Sequence, residues 1–98
     1  MNVDMARLIA AVRPMAAVLG VENVEDSMFE HELRNILYGP REYWECAVAG
    51  LVTRRELAQV IVARLETWIM ESLYGGDVRV LGRDLSGIVM DVEGCFVG

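Results

Sequence analysis

The feature that most constrains this fold is the stretch from Thr53 to Tyr74, the longest continuous helical pattern in the sequence. Thr53 with Glu56 three residues later forms the capping-box pattern that opens a helix, and Gly75-Gly76 is a typical stop. Apolar residues recur between these points at spacings of three and four, the period of one helix face. This core-facing set is Leu57, Val60, Ile61, Leu65, Trp68, Ile69 and Leu73. We predict a central helix over about 53–74, against which the other segments pack.

Residues 2–19 carry a second helical stripe, interrupted by a proline. Its members are Met5, Leu8, Val12, Met15 and Leu19. Pro14 would remove one backbone hydrogen bond and press on the preceding turn. We therefore expect either a kink or two short helices with Pro14 in the first turn of the second. The stripe is expected to pack on the central helix, with a dimerising helix as the alternative.

A second capping-box pattern, Ser27 with Glu30, predicts another helix that ends at Gly39-Pro40. Acidic residues are dense around its start, where negative charge suits the helix dipole. The alternative is an acidic docking patch for a basic partner, formed by Glu22, Glu25, Asp26, Glu30 and Glu32.

The segment that follows Pro40 predicts a short helix with one apolar side, joined at Gly50 to the central helix by a tight turn. The apolar side would consist of Tyr43, Trp44, Ala47, Val48 and Leu51. Such a helix–turn–helix invites a DNA-binding interpretation with Arg54, Arg55 and Arg64 as the contacts. That motif would place Glu45, Glu56 and Gln59 at positions that are normally apolar. An antiparallel helix pair is the better fit.

After Gly75-Gly76 the apolar period changes from 3.6 to 2. Val78 and Val80 alternate with Arg79. In the second stretch, the apolar residues Ile88, Met90 and Val92 alternate with Asp91 and Glu93. The chain is therefore predicted to be mainly α (α+β), a single domain over 1–98 with three to four helices around the central one and a C-terminal β-hairpin over about 77–97. We expect the apolar residues Phe96 and Val97 to dock on the core or on a partner.

Composition narrows the function classes. Hydrophobic residues make up 54% of the chain, above the about 45–50% of ordinary soluble domains even before Gly is counted. No apolar run reaches the ~20 residues of a spanning helix, and Asp4 and Arg7 argue against a signal peptide. We expect a cytoplasmic protein without a membrane partner. The formal charge of −6 argues against a general nucleic-acid binder.

Catalytic and metal signatures are weak. His31 is the only histidine, and its neighbours Glu30 and Glu32 are the only adjacent acid–base candidates. Cys46 and Cys95 have no metal-ligand spacing, and the sequence leaves open whether they are free thiols or a disulfide. We predict no enzyme activity, no catalytic or metal-binding residue and no cofactor.

The leading hypothesis is a small acidic protein–protein interaction module that self-associates, most simply as a dimer. Its apolar surplus needs another protein surface to cover it. We extend this hypothesis to an assembly or inhibitor protein of phage or mobile-element origin. The predicted interface residues are Met5, Leu8, Val12, Met90, Phe96 and Val97. The alternative is a helix–turn–helix regulator that uses the Arg54–Arg64 face.

Overall fold

A computed structural model describes residues 2–21, 24–39, 43–73 and 84–97 of the chain. The elements are β1 (Asn2–Val3), α1 (Met5–Val12), α2 (Pro14–Val18), α3 (Asp26–Tyr38), α4 (Tyr43–Val48), α5 (Arg54–Trp68), a π-helical segment (Ile69–Leu73), α6 (Ser86–Glu93) and β2 (Phe96–Val97). The predicted mainly helical fold with a small antiparallel β element is confirmed, and α5 is its longest helix.

Helix α5 forms because its capping box is complete. The Thr53 hydroxyl accepts a hydrogen bond from the Glu56 backbone N–H at 3.0 Å, and the Glu56 carboxylate accepts one from the Thr53 N–H at 3.2 Å. One face is buried through Leu57, Ile61 and Leu65. That face lies between α3 and α6, which supply most of the interhelical contacts of α5. The predicted central helix is thus confirmed, except that its stop at Gly75-Gly76 lies outside the described residues.

Pro14 divides the first helical segment as predicted. Helix α1 ends at Val12, and Pro14 is the first residue of α2, where its missing N–H costs no intrahelical bond. The stripe belongs to the core: Leu8, Val12 and Met15 are each 0% exposed. The stripe therefore packs on the protein's own core and is not presented on a surface, but α1 lies mainly against α3 and α6 and not, as predicted, against the central helix.

The start of α3 differs from the predicted capping box. Glu25 is the N-cap and Asp26 the first helical residue, so Ser27 already lies inside the first turn. Arg13 explains the earlier start, because its guanidinium donates to the Asp26 carboxylate at 2.8 Å and to the Val24 carbonyl at 3.0 Å. These bonds fix the chain just before the helix. The helix ends at Gly39, as predicted, where an added Cβ would overlap the carbonyl oxygen of Asn35.

Two glycines in the left-handed region end α2 and α4. Gly50 has φ 79°, and Leu51 N–H donates to the Cys46 carbonyl at 2.9 Å while Gly50 N–H donates to the Ala47 carbonyl at 3.1 Å. This pair of bonds is the Schellman arrangement. Gly20, with φ 74°, makes the same pair after α2. The tight turn predicted between α4 and α5 is therefore present.

The strand predicted over Ile88–Val92 is wrong, because this segment is helix α6. The Asp84 carboxylate precedes the helix and accepts hydrogen bonds from the Ser86 backbone N–H at 2.9 Å and the Ser86 hydroxyl at 2.6 Å. Both bonds favour the ionised carboxylate and hold the pKa of Asp84 below its ordinary value. The other predicted strand, over Val78–Val80, lies outside the described residues.

The two-stranded sheet joins distant parts of the sequence instead of forming a local hairpin. Strand β2 pairs antiparallel with β1, so that Val97 lies opposite Asn2 and Phe96 opposite Val3. Phe96 is 2% exposed and packs into the protein's own core. Of the two apolar residues predicted to dock, Phe96 is therefore buried in the core, whereas Val97 is exposed.

Candidate functional site: two surfaces

An exposed apolar surface lies on and around α4. We call the set Tyr38, Trp44, Val48 and Leu51 the α4 surface. Tyr38 is 52% exposed, Val48 54% and Leu51 78%, whereas Ala47 turns inward. Residues of this size and hydrophobicity are usually buried, so a cluster of them is a candidate surface for contact with another molecule.

Aromatic contacts hold the α4 surface against the core. The rings of Tyr38 and Trp44 meet edge to face with centroids 5.8 Å apart, and Trp44 lies 6.2 Å from the buried ring of Phe96. Val48 is one turn after Trp44 on the same side of α4. The surface is therefore anchored on one side and open on the other.

Leu51 is the most exposed member of the α4 surface, although it occupies a turn position that is often packed. A Schellman turn is often completed by a contact between the residue after the glycine and the preceding helix. In the turn after α2 that residue, Val21, is half-buried, but Leu51 remains 78% exposed. The same backbone turn thus ends one helix with a packed side chain and the other with an open one.

Charges of both signs lie around the α4 surface, although the chain carries −6. Arg34 precedes Tyr38 by one turn of α3, and Arg54 begins α5 three residues after Leu51. Glu45 is an exposed acid on α4 itself. Another acidic protein therefore meets less repulsion here than the net charge suggests.

The predicted interface residues do not form one surface. Leu8 and Val12 are 0% exposed and Phe96 is 2% exposed, so the folded chain already buries them. Met5 is half-buried and packs against the same core. Met90 is 63% exposed and Val97 46%, and these two remain available for contacts. The prediction failed for the buried members because they complete the chain's own core.

The predicted acidic patch is partly neutralised by the protein itself. Asp26 pairs with Arg13, and Glu30 lies 3.8 Å from Arg34. Glu25 is exposed, and Glu22 is outside the described residues. Glu32 differs from these, because it lines a groove between two helices and has no ion-pair partner among the described residues.

This α3–α5 groove has two adjoining halves that share Glu32 and Trp68. The first half, of about 330 Å³, is lined by Ser27, Met28, His31, Glu32 and Trp68. The second, of about 290 Å³, is lined by Glu32, Ile36, Arg64, Thr67, Trp68 and Glu71. Sequence reasoning placed Trp68 in the core, but the residue is half-buried and opens onto the groove. The sequence signal for this partial exposure is that Trp68 lies at the edge of the apolar stripe of its helix.

The three arginines of the nucleic-acid alternative do not share a helix face. Arg55 and Arg64 are nine residues apart, which places them roughly 180° apart around a helix of 3.6 residues per turn. Arg55 accordingly pairs with Glu93 of α6 at 3.0 Å, while Arg64 lies on the side of α3. Arg54 and Arg64, ten residues apart, lie roughly 80° from each other, so Arg55 is the member that leaves the predicted face.

The candidate catalytic and metal-binding groups are not assembled. His31 is exposed at the rim of the α3–α5 groove. Among the described residues, no group of three His, Cys, Asp or Glu side chains could hold a metal ion. Cys46 and Cys95 are free thiols. Burial raises the pKa of Cys95, whose thiol donates to the Asp91 carbonyl at 3.3 Å.

Comparison with models of known protein families, with curated proteins and with solved structures finds no match to this chain. Within the part of the chain that the structure describes, no helix has both the length and the apolar character needed to cross a membrane. Function must therefore be argued from the two surfaces described above.

Proposed function

We propose that this protein is a non-catalytic interaction module that self-associates through the α4 surface. The observation that carries the proposal is the exposure of Tyr38, Val48 and Leu51 next to a core that is otherwise well filled. Burying such side chains contributes roughly 25 cal/mol per Å² of apolar area removed from water. Their exposure to water is unfavourable in free energy for the monomer, and covering them with a partner surface would remove this penalty.

A second copy of the chain is the occupant that fits best. A two-fold interface brings the same patch of both copies together, so an apolar patch meets an apolar patch of equal size. The local charges favour this pairing, since Glu45 of one copy can face Arg54 of the other. A dimer through a more acidic face would instead bring like charges together.

The free thiols suggest the compartment in which the module works. We place it in the cytoplasm, because Cys46 and Cys95 persist as thiols in a reducing compartment. Assembly or inhibition of another protein, with a phage or mobile-element origin, is the extension of this proposal that the small size and acidic charge suggest. We propose no cofactor for either role.

The test compares two exposed apolar residues on different surfaces. Leu51→Asp places a charge in the α4 surface, and Met90→Asp places the same charge on α6. Sedimentation equilibrium should find the Leu51→Asp variant monomeric and the Met90→Asp variant associated like the wild type. Circular dichroism checks that both variants keep their helices. If Met90→Asp dissociates the protein and Leu51→Asp does not, the interface lies on α6 and the proposal is wrong.

A further inference from the structure

The α3–α5 groove combines an aromatic ring with a carboxylate at its centre. Trp68 and Glu32 line both halves, one from each helix. Trp68 packs against Phe29 with ring centroids 5.7 Å apart and an interplanar angle of 71°, which fixes its indole in the groove. The position of the ring is therefore set by the core, while part of its surface stays accessible.

Glu32 is a carboxylate without an ion-pair partner among the described residues. The described residues place no basic group within ion-pairing distance of it, whereas Asp26, Glu30 and Glu93 each have an arginine. Glu32 is nevertheless half-buried. A half-buried carboxylate gains more from a cation than a fully exposed one, because solvent screens the pair less.

The first half of the groove suits the stem of a long cationic side chain. Met28 and Trp68 supply apolar and aromatic surface, and Arg64 lies in the second half only. Lysine and arginine bury their methylene stems along such surface while the charged end meets a carboxylate or an aromatic face. The groove therefore offers each part of that side chain a matching contact.

We propose that the α3–α5 groove binds a lysine or arginine side chain of a basic peptide segment from a different protein. The charge of −6 favours a basic partner over another acidic one. A second copy is a poorer occupant, because it carries the same net charge of −6 as the chain that forms the groove. The site is separate from the α4 surface, so it does not depend on self-association.

The two tryptophans allow a direct test, since one lies on each surface. The full ¹⁵N-labelled chain is titrated with the acetylated and amidated hexapeptide Ala-Leu-Arg-Ala-Leu-Arg, and both indole N–H signals are followed by NMR. A Trp68→Phe variant assigns the signals. We expect the Trp68 signal to shift in a saturable way, with a dissociation constant on the order of 1 mM, while the Trp44 signal stays in place.

Charge-neutral variants separate this site from general electrostatic attraction. Glu32→Gln should weaken peptide binding about tenfold, as expected for loss of one charge-assisted contact. Glu66→Gln is the matched control, because Glu66 is also half-buried but lines neither half of the groove. The same peptide with glutamine in place of arginine should not shift the Trp68 signal.

Four results would overturn the proposal. These are no shift of the Trp68 signal at millimolar peptide, an equal shift of Trp44, equal weakening by Glu66→Gln and Glu32→Gln, and a Trp68 shift that follows protein concentration without peptide. The last would mean that a second copy fills the groove. The Leu51→Asp test is made without peptide, so the two proposals can fail separately.

Discussion

Helices α4 and α5 are joined by a tight turn and both are rich in apolar residues, but they use those residues differently. In α5, Leu57, Ile61 and Leu65 are at most 1% exposed, whereas Val48 at the end of α4 is 54% exposed and Leu51 in the following turn 78%. Helix α5 lies between α3 and α6 and is covered on both sides. Helix α4 has only six residues and is covered on one. An apolar pattern thus predicts that a residue will be buried, but not whether its own chain or another one buries it.

The largest difference between the two helices should appear in stability. Ile61→Ala removes a fully buried side chain and should lower the free energy of unfolding by about 2–5 kcal/mol. Val48→Ala should change it by about 0.5 kcal/mol or less, because the side chain is exposed. Urea unfolding measures both, in the Leu51→Asp background so that dissociation does not contribute. Equal losses at the two positions would mean that Val48 is part of the core.

Thiol reactivity sharpens the same contrast. Cys46 on α4 is half-buried, whereas Cys95 is 4% exposed and burial raises its pKa. A raised pKa leaves less thiolate at any given pH below it, so alkylation of Cys95 slows. Iodoacetamide at neutral pH should modify Cys46 at least about ten times faster than Cys95. Mass spectrometry of timed samples gives the two rates, and comparable rates would contradict the packing of β2 against the core.

A smaller effect tests the start of α5 against the start of α3. Thr53→Ala breaks the observed capping box and should cost about 1 kcal/mol of unfolding free energy. Ser27→Ala alters the same sequence pattern in α3, where Glu25 and not Ser27 is the N-cap. It should therefore have little effect in the same denaturation experiment. A loss at Ser27 as large as that at Thr53 would show that the predicted box forms in solution.

The sequence predicted what local chemistry decides. Thr53 and Glu56 mark the start of α5 because both capping bonds are made within four residues. Pro14 divides α1 from α2 because it has no N–H to donate. Gly50 ends α4 because its φ of 79° is costly for other residues. Each of these signals acts without help from the rest of the chain.

The predictions that failed depended on distant residues or on an ambiguous period. Ile88 and Val92 are four residues apart. This spacing places them on the same face of a strand and also about one turn apart on the same face of a helix. Met90 distinguishes the two, because it is 63% exposed while Ile88 and Val92 are buried, as a helix requires. The pairing of Asn2 with Val97 spans the sequence, and no local pattern indicates it.

The candidate surfaces were harder to predict than the fold. Val48 and Leu51 were assigned to the packing side of their helix, because exposure depends on what covers that helix. Glu32 was counted with an acidic patch. In the structure Asp26 and Glu30 have arginine partners, and Glu32 has none among the described residues. The α4 surface is defined by apolar side chains that the chain leaves uncovered, and the α3–α5 groove by a carboxylate that the described residues leave unpaired. Both features depend on the folded arrangement and cannot be read from local sequence.

The measurement that tests the central claim most directly is the solution mass of the wild-type protein by light scattering across concentration, at low and high salt. Self-association through an apolar α4 surface predicts about twice the chain mass of 10.9 kDa at both salt concentrations, because apolar burial is not screened by ions. A mass of one chain at every concentration would contradict self-association and would leave the α4 surface to a different protein.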